Sequence, residues 1–293
     1  MELIKQLRER TGAGIVDCKA ALTEANNDIE TAVDILRKKG IAKAAKRGDR
    51  EATQGLIKVA VNADGSEGYM FEMNAETDFV VRNDQFKATA DKIMALVMEK
   101  APSSLEELNA LELDGSTVEE TLNHLSGVIG EKIALGRYAK LSTQGTVASY
   151  AHPAGNIGVL VALDRKGEGE LASSVAMHVA AANPRYLKPE DVDAAELERE
   201  KEVYREQLAK EGKPAEMVEK ILQGKVNKYY EEVSLIKQEY VKDDKKKVEI
   251  YVGECTAERV KIVVKSAGIA GDQGSNKYGY FEQDPNGSGV EAF

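Results

Sequence analysis

Apolar positions recur at helical spacing from the start of the chain. In "ELIKQLRER", Leu3, Ile4 and Leu7 fall on one stripe, as a 3.6-residue period requires. "TGAG" then breaks the pattern with glycines suited to ending a helix. The stripe resumes as Cys18, Ala21, Leu22 and Ala25 in "IVDCKAALTEA", and as Ile29, Ala32, Val33 and Leu36 in "IETAVDILRKK". Asp28 stands at the expected N-cap of this third helix. Arg37, Lys38 and Lys39 suit its negative end, and Gly40 is the predicted stop. Residues 1–45 therefore read as a three-helix domain, marginal on core size alone, followed by the basic connection "AKAAKRGDR".

Shorter, strand-like periods follow, and they come twice. "TQGLIKVAV…GYMFEMN" begins at Thr53 and "TQGTVASYA…IGVLVALD" at Thr143. Thr53/Thr143, Gln54/Gln144, Gly55/Gly145 and Gly68/Gly158 share one offset of 90. Each copy predicts strand, turn, strand, then helix, with turns "NADGSEG" and "HPAGN" and helices "FKATADKIMALVM" and "LASSVAMHVAAA". Between them, "SLEELNAL" and "TVEETLNHLSGVIGEKIAL" predict further helix. The natural solution is an α+β fold, a duplicated sheet-plus-helices core. Repeat 1 spans 50–140, and repeat 2 spans 141–189 and 233–265.

Residues 190–232 interrupt the second repeat. Leu197, Tyr204 and Leu208 have coiled-coil-like spacing, "EGKP" breaks it, and Pro214 is well placed to open a new helix. This predicts an inserted antiparallel helical (coiled-coil) hairpin. Near the C-terminus, "KKKVEIYVGE" and "RVKIVVKSAG" read as strands. Residues 266–293, rich in Gly, Asn, Asp and Ser, read as an atypical, irregular tail.

Composition narrows the function. The chain has 293 residues, 42% of them hydrophobic and 31% charged, with a net charge of −10. An acidic surface argues against general nucleic-acid binding, which needs cations to neutralise phosphates. No run of 18 apolar residues predicts a membrane span, and no apolar signal region opens the chain. Two cysteines, Cys18 and Cys255, make neither a disulfide framework nor a metal motif. A reduced cytoplasmic location is expected.

Catalytic signatures are missing. There is no GxxxxGK[ST] and no strand-anchored GxGxxG. His124, His152 and His178 lack zinc spacing. His178, in "AMHVAAA", reads as a structural histidine, Cys18 as a small core residue, and Cys255 as lacking an activating neighbour. His152, before Pro153, reads as a turn residue on the surface. No enzyme activity, cofactor or metal is expected.

One polar connection stands out. "NAETDFVVRN" carries Phe79 in a chain with five Phe and no Trp. Phe71, Met73 and Ala75 share one strand face, but the alternation breaks by Thr77. Phe79 is therefore either a core residue closing a strand or an exposed one. Of the adjacent Ile15 and Val16, one is expected in the core. Neighbouring helical residues cannot face the same way, so the other is left for a partner.

Two stretches carry a resemblance: "LRERTGAGIVDCKAAL", residues 7–22, and "EMNAETDFVVRN", residues 72–83. Together and in this order they resemble the signatures of the elongation factor Ts family, guanine-nucleotide exchange factors of bacterial-type translation. The likeness extends over roughly residues 1–245. Ala20 stands where a basic or polar residue is usual and Val81 where a small one is. The family's closing helix and final strand are not recognisable in the tail. The resemblance implies that Thr77, Asp78, Phe79 and Val80 form a loop entering the partner GTPase, elongation factor Tu. There Phe79 would wedge beside the magnesium site. It further implies that Arg8, Ile15, Val16 and Lys19 dock on the partner's nucleotide-binding domain, and that His152, in "SYAH", lies at a core contact. The three-helix start also resembles ubiquitin-associated (UBA-like) domains. The alternative is thus a non-exchanging binding module that docks on a GTPase or other partner through that domain.

Overall fold

A computed structural model describes residues 1–45, 47–211, 214–249, 260–269 and 291–292. It is a mixed helix-and-sheet, α+β structure opening with helices. The described chain forms two units, the first built chiefly from Met1–Ala60 and Tyr69–Lys140, the second from Val61–Gly68 and Leu141–Gly268.

The first unit begins with α1 (Glu2–Thr11), α2 (Ile15–Glu24) and α3 (Ile29–Ala45). Leu7, Cys18, Ala21, Leu22, Ala25, Ala32 and Leu36 make their shared core. Asp28 caps α3, its Oδ1 accepting from Thr31 N–H at 2.7 Å. The predicted stop at Gly40 is corrected: α3 runs on to Ala45. Gly40 lies inside the helix, facing Gly127 of α7 (Val118–Ile129). A Cβ on Gly127 would lie 2.7 Å from the Gly40 Cα, inside any tolerable contact. The two backbones can approach this closely because Gly127 lacks a side chain, whereas a Cβ on Gly40 would meet nothing nearer than 3.7 Å. Arg37 of α3 adds an ion pair with Glu120, the N3 residue of the α7 capping box.

Strands β1 (Gln54–Val61) and β2 (Glu67–Ala75) follow, then α4 (Asp78–Val81), α5 (Asp84–Lys100), α6 (Leu105–Ala110) and a small hairpin, β3 (Glu112–Leu113) with β4 (Ser116–Thr117). After α7 comes β5 (Ile133–Ser142), and the sheet order is β1-β2-β5. The helix expected through "EKIAL" is thereby corrected. Gly130, left-handed at φ 96°, ends α7, and the following residues pair as a strand. Phe71, Met73, Phe86, Ile93, Leu122 and Leu135 are among the residues of the core between sheet and helices.

The second unit contains β6 (Thr146–Ala151), β7 (Ile157–Leu163), α8 (Gly169–Ala182), α9 (Ala194–Lys210), α10 (Ala215–Val233), β8 (Glu239–Tyr240), β9 (Asp243–Lys247), β10 (Val260–Gly268) and β11 (Glu291–Ala292). The sheet order is β11-β10-β7-β6. β10 runs antiparallel to β7 from Ile262↔Leu163 to Gly268↔Ile157. The strand read from "RVKIVVKSAG" is thus β10, and the irregular tail is corrected where it overlaps that strand, at residues 266–268, and at its end. Residues up to Gly268 close the sheet, and Glu291 and Ala292 pair with Lys261 and Val260. "KKKVEIYVGE" is a strand only as far as Lys247; residues 250–254 and Cys255 lie outside the described residues. Val159, Val161 and Leu163 pack with Leu171, Val175 and Val179 of α8.

The offset of 90 recurs in the backbone. Asn62 N–H donates to Glu67 O at 2.9 Å and His152 N–H to Ile157 O at 2.9 Å. Gly65 and Gly155 are left-handed at φ 70° and 74°. A Cβ on Gly55 would meet Met73 O at 2.5 Å, and one on Gly145 would meet Leu163 O at 2.2 Å.

α9 and α10 lie antiparallel: Glu196 meets Tyr229 at one end, and Gln207 accepts from Lys225 farther along. At the root, one Glu196 carboxylate accepts from Arg185 at 2.6 Å, from the Tyr186 hydroxyl at 2.6 Å and from the Tyr229 hydroxyl. Burial pushes the Tyr229 hydroxyl well above its ordinary pKa, so it stays a donor.

Candidate functional site

β2 ends at Ala75, and the next residues turn away from the sheet. Thr77 is extended, at φ −129° and ψ 156°, and occupies the N-cap position of the single-turn helix α4. Its side chain caps nothing there. Instead, Thr77 N–H donates to Glu131 Oε2 at 2.9 Å and Thr77 Oγ1 donates to Glu131 Oε1 at 2.8 Å. In the opposite sense, Lys132 N–H donates to Glu76 Oε1 at 2.6 Å, and Arg50 pairs with the same carboxylate at 3.2 Å. The Lys132 backbone donor is the main reason the Glu76 carboxyl lies below its usual range. Asn83 caps α5 through Gln85 N–H and Phe86 N–H, fixing the far side of the turn.

Between these braces, α4 sorts its side chains by angle. Successive helical residues point about 100° apart, so Phe79 and Val80 can face different environments. Val80 is 7% exposed and joins the core of Phe71, Met73 and Phe86, whereas Phe79 is 79% exposed. Val81 packs partly against the same core. Asp78 pairs with Arg82 one turn on, at 2.8 Å. The alternative of a strand-closing core phenylalanine is thereby removed. Val80, grouped by resemblance with the contact residues, is an anchor of the loop in its own fold.

The turn between α1 and α2 presents a second surface. Gly12, at φ 66°, receives the α1 C-terminus, and its N–H donates to Arg8 O. Ala13 is buried, and Cys18 Sγ donates to Ala13 O at 3.5 Å. Ile15 is 57% exposed and Val16 81% exposed. The expectation that one of the pair is core is corrected. Both lie in the first turn of α2, ahead of its first buried residue, Cys18. Arg8 and Lys19 are exposed. Ile15 and Lys19 stand four residues apart on α2, on one face.

The histidines divide cleanly. His178 is buried; its Nδ1 accepts from Val241 N–H at 3.2 Å and its Nε2 lies 2.9 Å from Gln238 Oε1. This is the neutral tautomer, with Nε2–H donating, and burial holds the imidazole below its usual pKa. His124 is lowered by burial and by Arg37. His152 is half-buried in the β6–β7 turn, where its Nδ1 accepts from Ala154 N–H at 3.2 Å. Cys18 is buried, and burial pushes its thiol up. Among the described residues no cluster of three or more His, Cys, Asp or Glu is arranged to hold a metal, and no helix is long and apolar enough to cross a membrane.

A braced, outward aromatic in the TDFV sequence is the feature to compare with known proteins. The family model described as Elongation factor TS matches residues 76–268. The chain belongs to the elongation factor Ts family. It is 46% identical over 259 residues to Elongation factor Ts of a Nitratiruptor species, covering 86% of this chain and 85% of the relative. It is 48% identical over 242 residues to Elongation factor Ts of Alcanivorax borkumensis, covering 82% and 84%. The same identity and length hold for that of Arthrospira platensis, covering 82% and 97%. The match to the Elongation factor TS model opens at Glu76, in the brace of the Phe79 loop, and closes at Gly268, the end of β10. Glu131 escaped the sequence reading. It stands 54 positions from Thr77, and no local period marks it.

Proposed function

We propose that this chain is a guanine-nucleotide exchange factor of translation elongation. It binds elongation factor Tu carrying GDP, disturbs the magnesium and phosphate site with the Phe79 loop, and promotes GDP release. Membership of the elongation factor Ts family supports the role. The observation that carries the mechanism is the 79% exposure of Phe79 next to the buried Val80: an apolar ring held in water on an anchored turn. Thr77 and Asp78 shape the loop. Arg8, Ile15, Val16 and Lys19 supply docking on the partner's nucleotide-binding domain, and His152 a further core contact. The exchange role needs no covalent chemistry and no cofactor of the chain's own.

The same reading takes the N-terminal helices as UBA-like, the two strand–turn–strand segments as copies of one core unit, and α9–α10 as a coiled-coil hairpin. The backbone features repeated at an offset of 90 support the second of these.

Magnitudes set what Phe79 alone contributes. Burying one Phe contributes roughly 1.5–3 kcal/mol, and each tenfold loss of nucleotide affinity requires about 1.4 kcal/mol. One ring therefore covers at most about two decades. A wider interface must supply any further weakening, which gives the exposed Ile15–Val16 surface its purpose. Coupling is reciprocal: a chain that weakens GDP binding is itself bound more weakly in the presence of GDP by the same factor. Release of fluorescent GDP from elongation factor Tu, with and without the chain, tests this reading.

The second reading is a binding module that docks without exchange. The exposure of both Ile15 and Val16 favours it, because they form an apolar surface independent of Phe79. A stable complex with an unchanged GDP off-rate distinguishes it.

A further inference from the structure

We propose that Glu131 is the positioning residue of the Phe79 loop: its carboxylate, held at the end of α7, sets the direction in which the ring is presented. The proposal rests on the exchange reading above and deepens it.

Single-turn helices are weak structures. A four-residue helix closes few hydrogen bonds against the cost of nucleation. α4 must therefore be held from outside, and the contacts on its N-terminal side converge on residues 131 and 132. Both oxygens of Glu131 are engaged, one by the Thr77 amide at 2.9 Å and one by its hydroxyl at 2.8 Å. Two contacts to one residue fix orientation as well as distance, which a single hydrogen bond does not. Thr77 immediately precedes α4, so rotation there swings Phe79 directly.

Glu131 is itself fixed. Gly130 makes the left-handed turn that ends α7, and Ser126 Oγ donates to Glu131 O at 2.5 Å. Next to it, Lys132 N–H holds Glu76, while Lys132 Nζ donates to Gly48 O at 2.7 Å and Arg50 O at 2.9 Å. Arg47 donates to Ser126 O at 3.1 Å. The joint thus gathers the segment following α3, the end of α7 and the end of β2 around the loop. Val80 anchors the loop's inner side, and Glu131 determines how the loop is rotated about that anchor.

The test is fluorescent GDP release from elongation factor Tu, read as the saturated rate and the half-saturating concentration of the full chain. Glu131→Ala is expected to lower the saturated rate roughly tenfold or more, as misplacement of a pre-organised group does. The half-saturating concentration should move little, because docking through Ile15 and Val16 is untouched. Glu131→Gln keeps an acceptor for the Thr77 amide and should restore most of the rate. Thr77→Val removes the hydroxyl from the other end of the contact and should give a partial loss of the same kind. A wild-type saturated rate for Glu131→Ala or Thr77→Val, beside a slow Phe79→Ala, overturns the positioning role and leaves the exchange reading intact. A Gln variant no faster than the Ala variant also overturns it. A wild-type rate for Phe79→Ala removes the wedge reading and the proposal together.

Discussion

Phe79 and Val80 are consecutive residues with opposite fates, one 79% exposed and the other 7%. The pair separates function from stability within a single turn. Phe79→Ala is expected to leave folding stability within about 0.5 kcal/mol of wild type, as exposed positions do. Val80→Ala removes buried methyl groups and should cost about 1–3 kcal/mol. Chemical denaturation of the two variants checks both values.

The α3–α7 contact predicts an asymmetry between two glycines. A Cβ at position 127 would lie 2.7 Å from the Gly40 backbone, whereas one at position 40 has its nearest neighbour at 3.7 Å. Gly127→Ala should therefore force the helices apart and destabilise by about 1–3 kcal/mol. Gly40→Ala should be neutral or stabilise by up to about 1 kcal/mol, through helix propensity. Thermal melting of both variants separates the two outcomes.

The equivalent glycines of the two hairpins should behave alike. Gly55 faces Met73 O and Gly145 faces Leu163 O, each too close for a Cβ. Alanine at either position is expected to destabilise, because a carbonyl of the neighbouring strand cannot yield as a flexible side chain does. Loss of stability in one variant only would count against a duplicated core.

Legibility followed the range of the interactions. Helices α1 and α2 are readable because their stripes are local: Cys18, Ala21, Leu22 and Ala25 are all buried as the period requires, whereas in α1 Leu7 is buried, Ile4 partly so and Leu3 exposed. Gly40 misled because a glycine inside a helix and one ending it look alike until Gly127 is brought beside it. β5 was missed because "EKIAL" continues an apolar run, and only its pairing in the sheet makes it a strand. The Phe79 loop was legible by resemblance, but the opposite orientations of Phe79 and Val80 depend on the turn of α4. The brace from Glu131 lies in a separate part of the chain. In the first turn of α2, the period places one of Ile15 and Val16 inside, but the buried face of that helix begins only at Cys18.

Acid should destabilise the second unit through His178. The neutral ring accepts at Nδ1, and burial lowers its pKa from the ordinary 6.5. The unfolded chain then binds a proton that the folded chain refuses. This contribution to stability is complete above about pH 6.5 and is lost as pH falls through the folded-state pKa. The loss has a limiting slope of about 1.4 kcal/mol per pH unit for one group. His124, also lowered, acts in the same direction in the first unit. Melting temperatures measured from pH 7.5 to 5.0 should fall, and less steeply for a His178→Gln variant that still folds.

The most direct test of the exchange mechanism is stopped-flow dissociation of fluorescent GDP from elongation factor Tu. The wild-type chain is predicted to accelerate release in a concentration-dependent way, and Phe79→Ala, though folded, to lose most of that acceleration. Release left unchanged by the wild-type chain, or accelerated equally by Phe79→Ala, would contradict it.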